Sequence, residues 1–478
     1  MNPAFRAFLE VNYFSDAGSP RSAELRCREL VEGWRREHGS AETRFARAPG
    51  RINLIGEHTD YNGCSAFPMA IDRDFIAAFA ASEEPVVDVT DAGKPEFGRR
   101  VFRLEQEIEA YATGDWGNYL KAAAQGIIGH AKASQGRTPA LRGFKARLHG
   151  SIPPSAGLSS SSALVVLAAV LLLCVNDMTI PAMELASLLA EAERYVGTQG
   201  GGMDQAACLM GRAGHALKMD FFPLSVSPTV VPKGVVFVVA DSLVKAEKTG
   251  AAMDRYNRRA AECRLATALI ERELRSRSGT AVAVRRFGDL REDVLPFTRE
   301  ELREFAEHAL RERTYSLRRI AAILDTSPGE TAVRFCRRRD GSLLPEPTDG
   351  FQLARRYRHV MSEWERVGLT QAALREGDVA EVGRLMNDSH ASCRDDYQIS
   401  CPELERLTAL ARDSGALGSR LTGAGFGGCT VSLVPEAALD RFLAEVARGY
   451  YGGAPAGLRD VLFPCKAVQG AGMAPPLG

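Results

Sequence analysis

Hydrophobic and polar positions change period several times along this chain, and each change marks an element. Leu25, Leu30, Val31 and Trp34 recur at spacings that fit one apolar helix face, so residues 1 to about 45 read as helical. From Arg44 to Gly63, RFARAPGRINLIGEHTDYNG alternates extended apolar residues with Pro49, Gly50, Gly56 and Gly63, which predicts strand, turn, strand and loop. Short strands are expected between Ala78 and Glu105, and a helix from Trp116 to Ala131. The stretch FKARLHGSIPPSAGLSSSSALVVLAAVLLLCV reads as strand, Gly/Ser loop and buried helix. A further helix, Ala182 to Tyr195, ends at the glycine-rich turn GTQGGGMDQ, Gly197 to Gln205. From Gly250 to Glu381 the period is that of amphipathic helices, and Arg337, Arg338 and Arg339 read as solvated faces because acids are interleaved nearby. SRLTGAGFGGCTVSLV, Ser419 to Val434, predicts strand, loop and strand before a helix at Ala437 to Arg448. The tail QGAGMAPPLG reads as disordered.

A long helical block between β segments implies an α+β chain of two domains. The first is expected to span residues 1–210 and the second 211–468, with a disordered tail at 469–478. The length of 478 residues, 45% hydrophobic and 25% charged, suffices for sizeable cores. Lys plus Arg and Asp plus Glu both number 60, so no global positive field favours nucleic acid or an acidic membrane, and small molecules are the expected partners. The longest apolar run, Ala163 to Val175, has 13 residues, short of the roughly 18 to 20 that cross a bilayer. The N-terminus lacks the basic and apolar regions of a secretory signal, which predicts a cytoplasmic protein. Ten scattered Cys without paired spacing read as reduced thiols, with neither disulfides nor structural zinc expected.

The 45 glycines cluster in a few short loops, and those loops carry the candidate chemistry. In PPSAGLSSSSA, Pro153 to Ala163, two prolines stiffen the entrance, Gly157 permits close backbone approach, and four serines run into an apolar helix. Unpaired N–H groups and the positive helix end converge there, which suits a nucleotide phosphate. A capped helix is the plainer explanation, but one cap needs one Ser. The Walker string G-x-x-x-x-G-K-[ST] is absent from the sequence. GAGFGG, Gly423 to Gly428, matches the dinucleotide fingerprint in letters only, because a β-branched run follows where a helix is required. It is either a tight hairpin or a glycine loop that packs against another loop or a ligand. Asp204, behind three glycines, is either an N-cap or a carboxylate given room for a substrate. Arg51, Glu57, His58 and Asp60 suit either sugar hydroxyls or a salt-bridged surface loop.

Taken together, RAPGRINLIGEHTDYNG, PPSAGLSSSSALVV, GGGMDQ and LTGAGFGGC, in that order, resemble the galactokinase branch of the GHMP small-molecule kinases. The resemblance runs from about Ala41 to Tyr451 and includes HVMSEWERV, SHASCRDDYQISCPEL and Tyr256-Asn257-Arg258-Arg259. It implies a two-domain α+β fold with the active site in the cleft between domains; a monomer is expected. It also implies that Gly157, Leu158, Ser159, Ser160 and Ser161 wrap the phosphates of ATP, that Ser161 and Glu193 hold Mg2+, and that Asp204 is the catalytic base with Arg51 as its charge partner. Glu193 is preferred to Glu191 because its spacing matches other branches of the superfamily. By the same resemblance Glu57, His58, Asp60, Gly201 and Tyr256 line the sugar pocket, and Gly423 to Gly428 close the cleft. The reaction implied is phosphorylation of the anomeric hydroxyl of galactose or a C2-substituted relative. The Gly/Ser and GTQGGGMDQ strings are closer to the N-acetylgalactosamine kinase subgroup, whereas Tyr256 is galactokinase-like. A non-catalytic sugar and ATP sensor is the alternative from another class; such relatives tend to lose part of the Gly/Ser loop, which is intact here.

Overall fold

A computed structural model describes residues 3–13, 20–39, 43–136, 140–197, 200–245, 250–279, 283–338, 341–453 and 457–475. Thr198, Gln199 and Arg339, parts of the expected N-terminal helix (14–19 and 40–42), and the last three residues of the tail, 476–478, lie outside the described residues.

Helices α1 (Pro3–Asn12) and α2 (Pro20–His38) precede strands β1 (Arg44–Ile55), β2 (Phe67–Ala81), β3 (Val86–Asp91) and β4 (Arg100–Arg103). Then come α3 (Gly117–Gln135), β5 (Phe144–Gly150), α4 (Ser160–Val175), α5 (Ala182–Ala192) and α6 (Met203–Met210). A hairpin of β6 (His215–Asp220) and β7 (Ser225–Val230) leads to β8 (Val235–Asp241). The helical block comprises α7 (Gly250–Ser278), α8 (Arg299–Ala309), α9 (Leu317–Leu324), α10 (Pro328–Cys336), α11 (Leu353–Glu376) and α12 (Val379–Ser392). The chain ends with α13 (Pro402–Asp413), β9 (Gly418–Leu421), β10 (Cys429–Pro435), α14 (Leu439–Tyr451), α15 (Leu458–Val461), β11 (Leu462–Cys465) and β12 (Gly472–Ala474).

Among the described residues these strands form a six-stranded sheet, β12-β1-β2-β5-β3-β4, a four-stranded sheet, β11-β8-β10-β9, and the β6–β7 hairpin. Among the described residues only β3 and β5 pair in parallel. Helix α4 is apolar on every side and buried along nearly its whole length, so it can only be an interior helix between the large sheet and α3. On the opposite face of β1 and β2, α1 and α2 bury Phe5, Leu9, Leu30 and Trp34. Arg47 and Arg26 of this layer meet Asp74, each at 2.5 Å. A separate core under α7, α8, α11 and the 393–399 segment fills the C-terminal half. All ten cysteines are free thiols, eight of them buried. No described helix is long and apolar enough to cross a membrane.

Three expectations change. Leu25 is 51% exposed, because the buried stripe of α2 runs through Cys27, Leu30, Val31 and Trp34 and Leu25 falls on the far side of that helix. Pro49-Gly50 does not turn the chain. β1 runs through it with a register shift against β2 between Pro49 and Arg51; Arg47 reaches Asn12 of α1, whereas Arg51 reaches Asp204 of α6. The tail is not disordered over its described part, since Gly472–Ala474 pairs with Arg47, Ala46 and Phe45 and covers the free edge of β1. Arg337 is exposed as expected, whereas Arg338 pairs with Asp254 at 2.8 Å.

Candidate active site

Residues 44–63, the Gly/Ser loop, the start of α6, the start of α7 and the 423–426 loop meet around a cleft of about 470 Å³. Arg51, Glu57, His58, Asp60, Gly157, Ser159, Ser160, Ser161, Glu193, Asp204 and Tyr256 all line it. The predicted loops therefore converge on one place. Gly427 and Gly428, the end of the predicted closing loop, do not face it, and neither do Leu158 and Gly201. The Leu158 side chain lies in the core, while its carbonyl accepts the backbone N–H of Arg51 at 3.2 Å. Gly201 stands behind the wall, donating its N–H to Asp60 Oδ2 at 2.9 Å.

Asp204 sits in the first turn of α6, whose N-cap is Gly202 in the left-handed region, so the carboxylate is not a cap. Arg51 donates to Asp204 Oδ1 through Nε at 2.8 Å and Nη2 at 2.6 Å, and through Nη1 to the Gly157 carbonyl at 2.6 Å. One guanidinium thus joins the carboxylate to the Gly/Ser loop. Ser159, N-cap of α4, makes no capping bond; its hydroxyl donates to Asp204 Oδ2 at 2.6 Å. The serine run is therefore not explained by capping, and the start of α4 opens on the cleft.

The two glycine loops touch backbone to backbone. A Cβ on Gly157 would lie 2.7 Å from the Thr422 carbonyl, and one on Gly423 would lie 2.5 Å from that of Gly157; both residues have positive φ. GAGFGG is followed by β10, a strand, as the failed dinucleotide pattern requires. It is at once the connection of the β9–β10 hairpin and a loop packed on the Gly157 loop, and its residues 423–426 line the cleft.

Glu57 is buried, and its Oε1 accepts the Gly423 N–H at 2.8 Å and Arg420 Nη1 at 3.3 Å. Burial raises its carboxyl above the usual range, against the pull of Arg420. Asp60 is raised by burial and then by the charge of Asp204. Burial, followed by Asp60 and Asp204, pushes the Tyr256 phenol up, so Tyr256 offers a neutral hydroxyl. His58 adopts φ 59°, and burial pushes its imidazole down to about 3.

Glu193 is buried on the cleft wall, whereas Glu191 is exposed and pairs with Arg194 at 2.8 Å. Among the described residues no three His, Cys, Asp or Glu side chains gather to hold a metal unaided. Ser161 and Glu193 offer two hard oxygen donors, which fits Mg2+ sharing its shell with phosphates and water.

Sequence reasoning missed one whole wall. Phe75, Asp91, Lys94, Phe97, Trp116 and Tyr119 also line the cleft. Trp116 Nε1 donates to the Phe97 carbonyl at 2.9 Å, and Asp91 Oδ1 accepts the Gly93 and Lys94 N–H groups at 2.9 and 3.1 Å. Such an aromatic wall suits a flat base. Trp116 and Tyr119, three apart at the start of α3, were its available signal.

The galactokinase galactose-binding signature matches residues 32–81, the GHMP kinase N-terminal domain 118–212 and the GHMP kinase C-terminal domain 370–452. Galactokinase of Dictyostelium discoideum is 34% identical over 440 residues, covering 85% of this chain and 84% of that protein. Galactokinase of Roseiflexus sp. is 35% identical over 446 residues, covering 93% and 96%. The crystal structure of Lactococcus lactis galactokinase complexed with galactose superposes with a TM-score of 0.70 at 27% identity, covering 93% of this chain and 99% of that one. L. major mevalonate kinase, with TM-score 0.52, 17% identity and coverage of 90% and 97%, shares the fold. This chain belongs to the galactokinase family of the GHMP kinases and is a sugar kinase.

Proposed function

We propose that the enzyme transfers the γ-phosphoryl group of ATP to the anomeric hydroxyl of galactose in the cytoplasm, giving galactose 1-phosphate and ADP. The observation that carries this reading is Asp204, held by Arg51 and Ser159 between the serine-lined start of α4 and the Glu57–Asp60 loop. In this role Asp204 accepts the proton of the C1 hydroxyl while its oxygen bonds to the γ-phosphorus, and the bond to the β–γ bridging oxygen breaks as ADP leaves. Oδ1 accepts both Arg51 N–H groups and Oδ2 accepts the Ser159 hydroxyl, so Oδ2 is the oxygen an incoming hydroxyl would approach. Arg51, between that carboxylate and the Gly157 carbonyl, fixes the distance from base to phosphate loop. The N–H groups of Ser159 to Ser161 and the helix dipole of α4 would stabilise the phosphate oxygens.

Ser161 and Glu193 would hold Mg2+, which when bound neutralises charge on the triphosphate. Glu57, His58, Asp60 and Tyr256 would surround the sugar, with Gly201 behind Asp60; a Cβ at Gly201 would come within 2.5 Å of the Asp60–Tyr61 backbone. The aromatic wall around Trp116 would receive the adenine.

A C2-substituted sugar such as N-acetylgalactosamine is the second reading. Gly200 supports it, because a side chain there would meet nothing within 4 Å and the space is open to the cleft. Gly202 does not, since its missing Cβ would point at Ala190, 3.4 Å away. A panel of hexoses with ATP and Mg2+, followed by ADP release and by phosphorus NMR of the product, tests both readings. Galactose is expected to give the 1-phosphate with the highest kcat/KM. Product phosphorylated elsewhere, or no ADP with any hexose, would refute the proposal, and a higher kcat/KM for N-acetylgalactosamine would favour the second reading.

A further inference from the structure

From the cleft wall inward a line of polar atoms joins residues far apart in sequence. His58 Nε2 lies 3.1 Å from the Ala424 carbonyl oxygen, and Nδ1 lies 2.8 Å from the Tyr61 hydroxyl. The Tyr61 hydroxyl is 2.7 Å from that of Tyr397, which is 3.3 Å from Cys263 Sγ. The proton order follows from the ends. A carbonyl only accepts, so Nε2 carries the hydrogen. Burial keeps the imidazole neutral, so Nδ1 is an acceptor and Tyr61 donates to it. A phenol has one proton; Tyr61 therefore accepts from Tyr397, and Tyr397 accepts from the Cys263 thiol, which burial pushes up to about 11 and so keeps protonated.

Tyr397 has no freedom to redirect its hydroxyl. It is fully buried, with the His58 ring at 4.8 Å, the His359 ring at 4.4 Å and the Arg356 guanidinium 5.6 Å from its ring centre. The other end of the line, Ala424, follows Gly423, whose backbone rests on Gly157, and precedes Phe426, which lines the cleft. A His58 ring of the opposite tautomer would turn a lone pair on Nε2 toward the carbonyl oxygen of Ala424. That contact would be repulsive, and the glycine loop would lose its tie to the 56–63 loop.

We infer that Tyr397 is a positioning residue: through Tyr61 it fixes His58 as the Nε2–H tautomer, and His58 thereby holds the glycine loop over the phosphate side of the cleft. Tyr397 itself does not line the cleft, so any effect of its hydroxyl on substrates passes through Tyr61 and His58. The functional half of this inference rests on the proposed placement of ATP in the cleft; the tautomer does not.

The test combines nitrogen NMR of histidine-labelled protein with kinetics of Tyr397→Phe, Tyr61→Phe and the double variant. In the unmutated enzyme His58 should show an unprotonated Nδ1 and a protonated Nε2. Tyr397→Phe should shift the Nδ1 signal and raise the KM for ATP about fivefold, the effect of one buried hydrogen bond, with kcat within about twofold. The double variant should be no worse than Tyr61→Phe alone, because both act along one line. A proton on Nδ1 in the unmutated protein, or Tyr397→Phe with unchanged His58 signals and ATP KM, or effects that add in the double variant, would overturn the inference. If Tyr397→Phe does not fold, the unmutated spectrum and Tyr61→Phe decide. Absence of kinase activity would sink the proposed function while the tautomer assignment still stood or fell by the spectrum.

Discussion

Replacing Asp204 with Asn separates the chemistry of this site from its architecture. Asn has the same shape and can still accept from Arg51 through its carbonyl oxygen, but it cannot take the proton of an attacking hydroxyl. Loss of a positioned general base lowers turnover by about 10² to 10⁴, or roughly 3 to 5 kcal/mol in the barrier. The structural effect is smaller. Arg51, with 6% of its side chain exposed, loses its counter-charge, but Asp204 is 23% exposed and Asn preserves one of the bonds. Losing a charge-assisted hydrogen bond in such a place costs about 1 to 2 kcal/mol, within the reserve of an ordinary folded protein. We therefore expect kcat to fall at least about a hundredfold in a coupled ADP assay, while galactose binding by calorimetry and the melting temperature change little. A pure, folded Asp204→Asn enzyme with kcat within about tenfold of the unmutated one would remove Asp204 as the base.

Other expectations test the remaining parts. Gly157→Ala places a methyl group 2.7 Å from the Thr422 carbonyl at φ +77°, so the two glycine loops must part; the KM for ATP should rise at least about tenfold, since the left-handed backbone alone costs about 1 to 2 kcal/mol. Glu193→Gln should raise the Mg2+ concentration needed for half-maximal rate, and Glu191→Gln, a change at an exposed ion pair, should not; titrating Mg2+ in both variants checks this. Stability should fall as pH drops below about 6.5. The unfolded chain then protonates His58 and His359, ordinarily near 6.5, while the folded protein refuses those protons until about 3 and about 4. Each histidine contributes a slope of roughly 1.4 kcal/mol per pH unit inside its window. Urea unfolding at pH 7 and pH 5 should show the loss, and equal stability at both would contradict the buried neutral rings.

The parts legible in the sequence were those whose physics is local. A serine run entering an apolar helix, glycines packed around an acid, and a polar string on a strand-to-loop exit are each compact signals in the sequence, and all three line the cleft. Helix α4 was legible because an apolar run with no polar face has nowhere to go but the interior. What escaped depends on partners distant in sequence. Pro49-Gly50 looks like a turn, yet β2 supplies a bulged register and Leu158 accepts a bond from Arg51, which keeps β1 extended. The short, glycine-bearing tail carries no strand signal of its own; it becomes β12 because β1 presents an open edge. The wall of Phe75, Phe97 and Trp116 comes from three separate elements and has no motif. Likewise, nothing in the spacing of Glu57 shows that Arg420, more than 300 positions later, grips its carboxylate.

The most direct measurement is a crystal structure of this enzyme with galactose and a non-hydrolysable ATP analogue in the presence of Mg2+. The C1 hydroxyl should lie within hydrogen-bond distance of Asp204 and in line with the γ-phosphorus, with the triphosphate against Ser159 to Ser161. A sugar bound with its C1 hydroxyl turned away from Asp204, or a triphosphate seated away from the start of α4, would contradict the proposed chemistry.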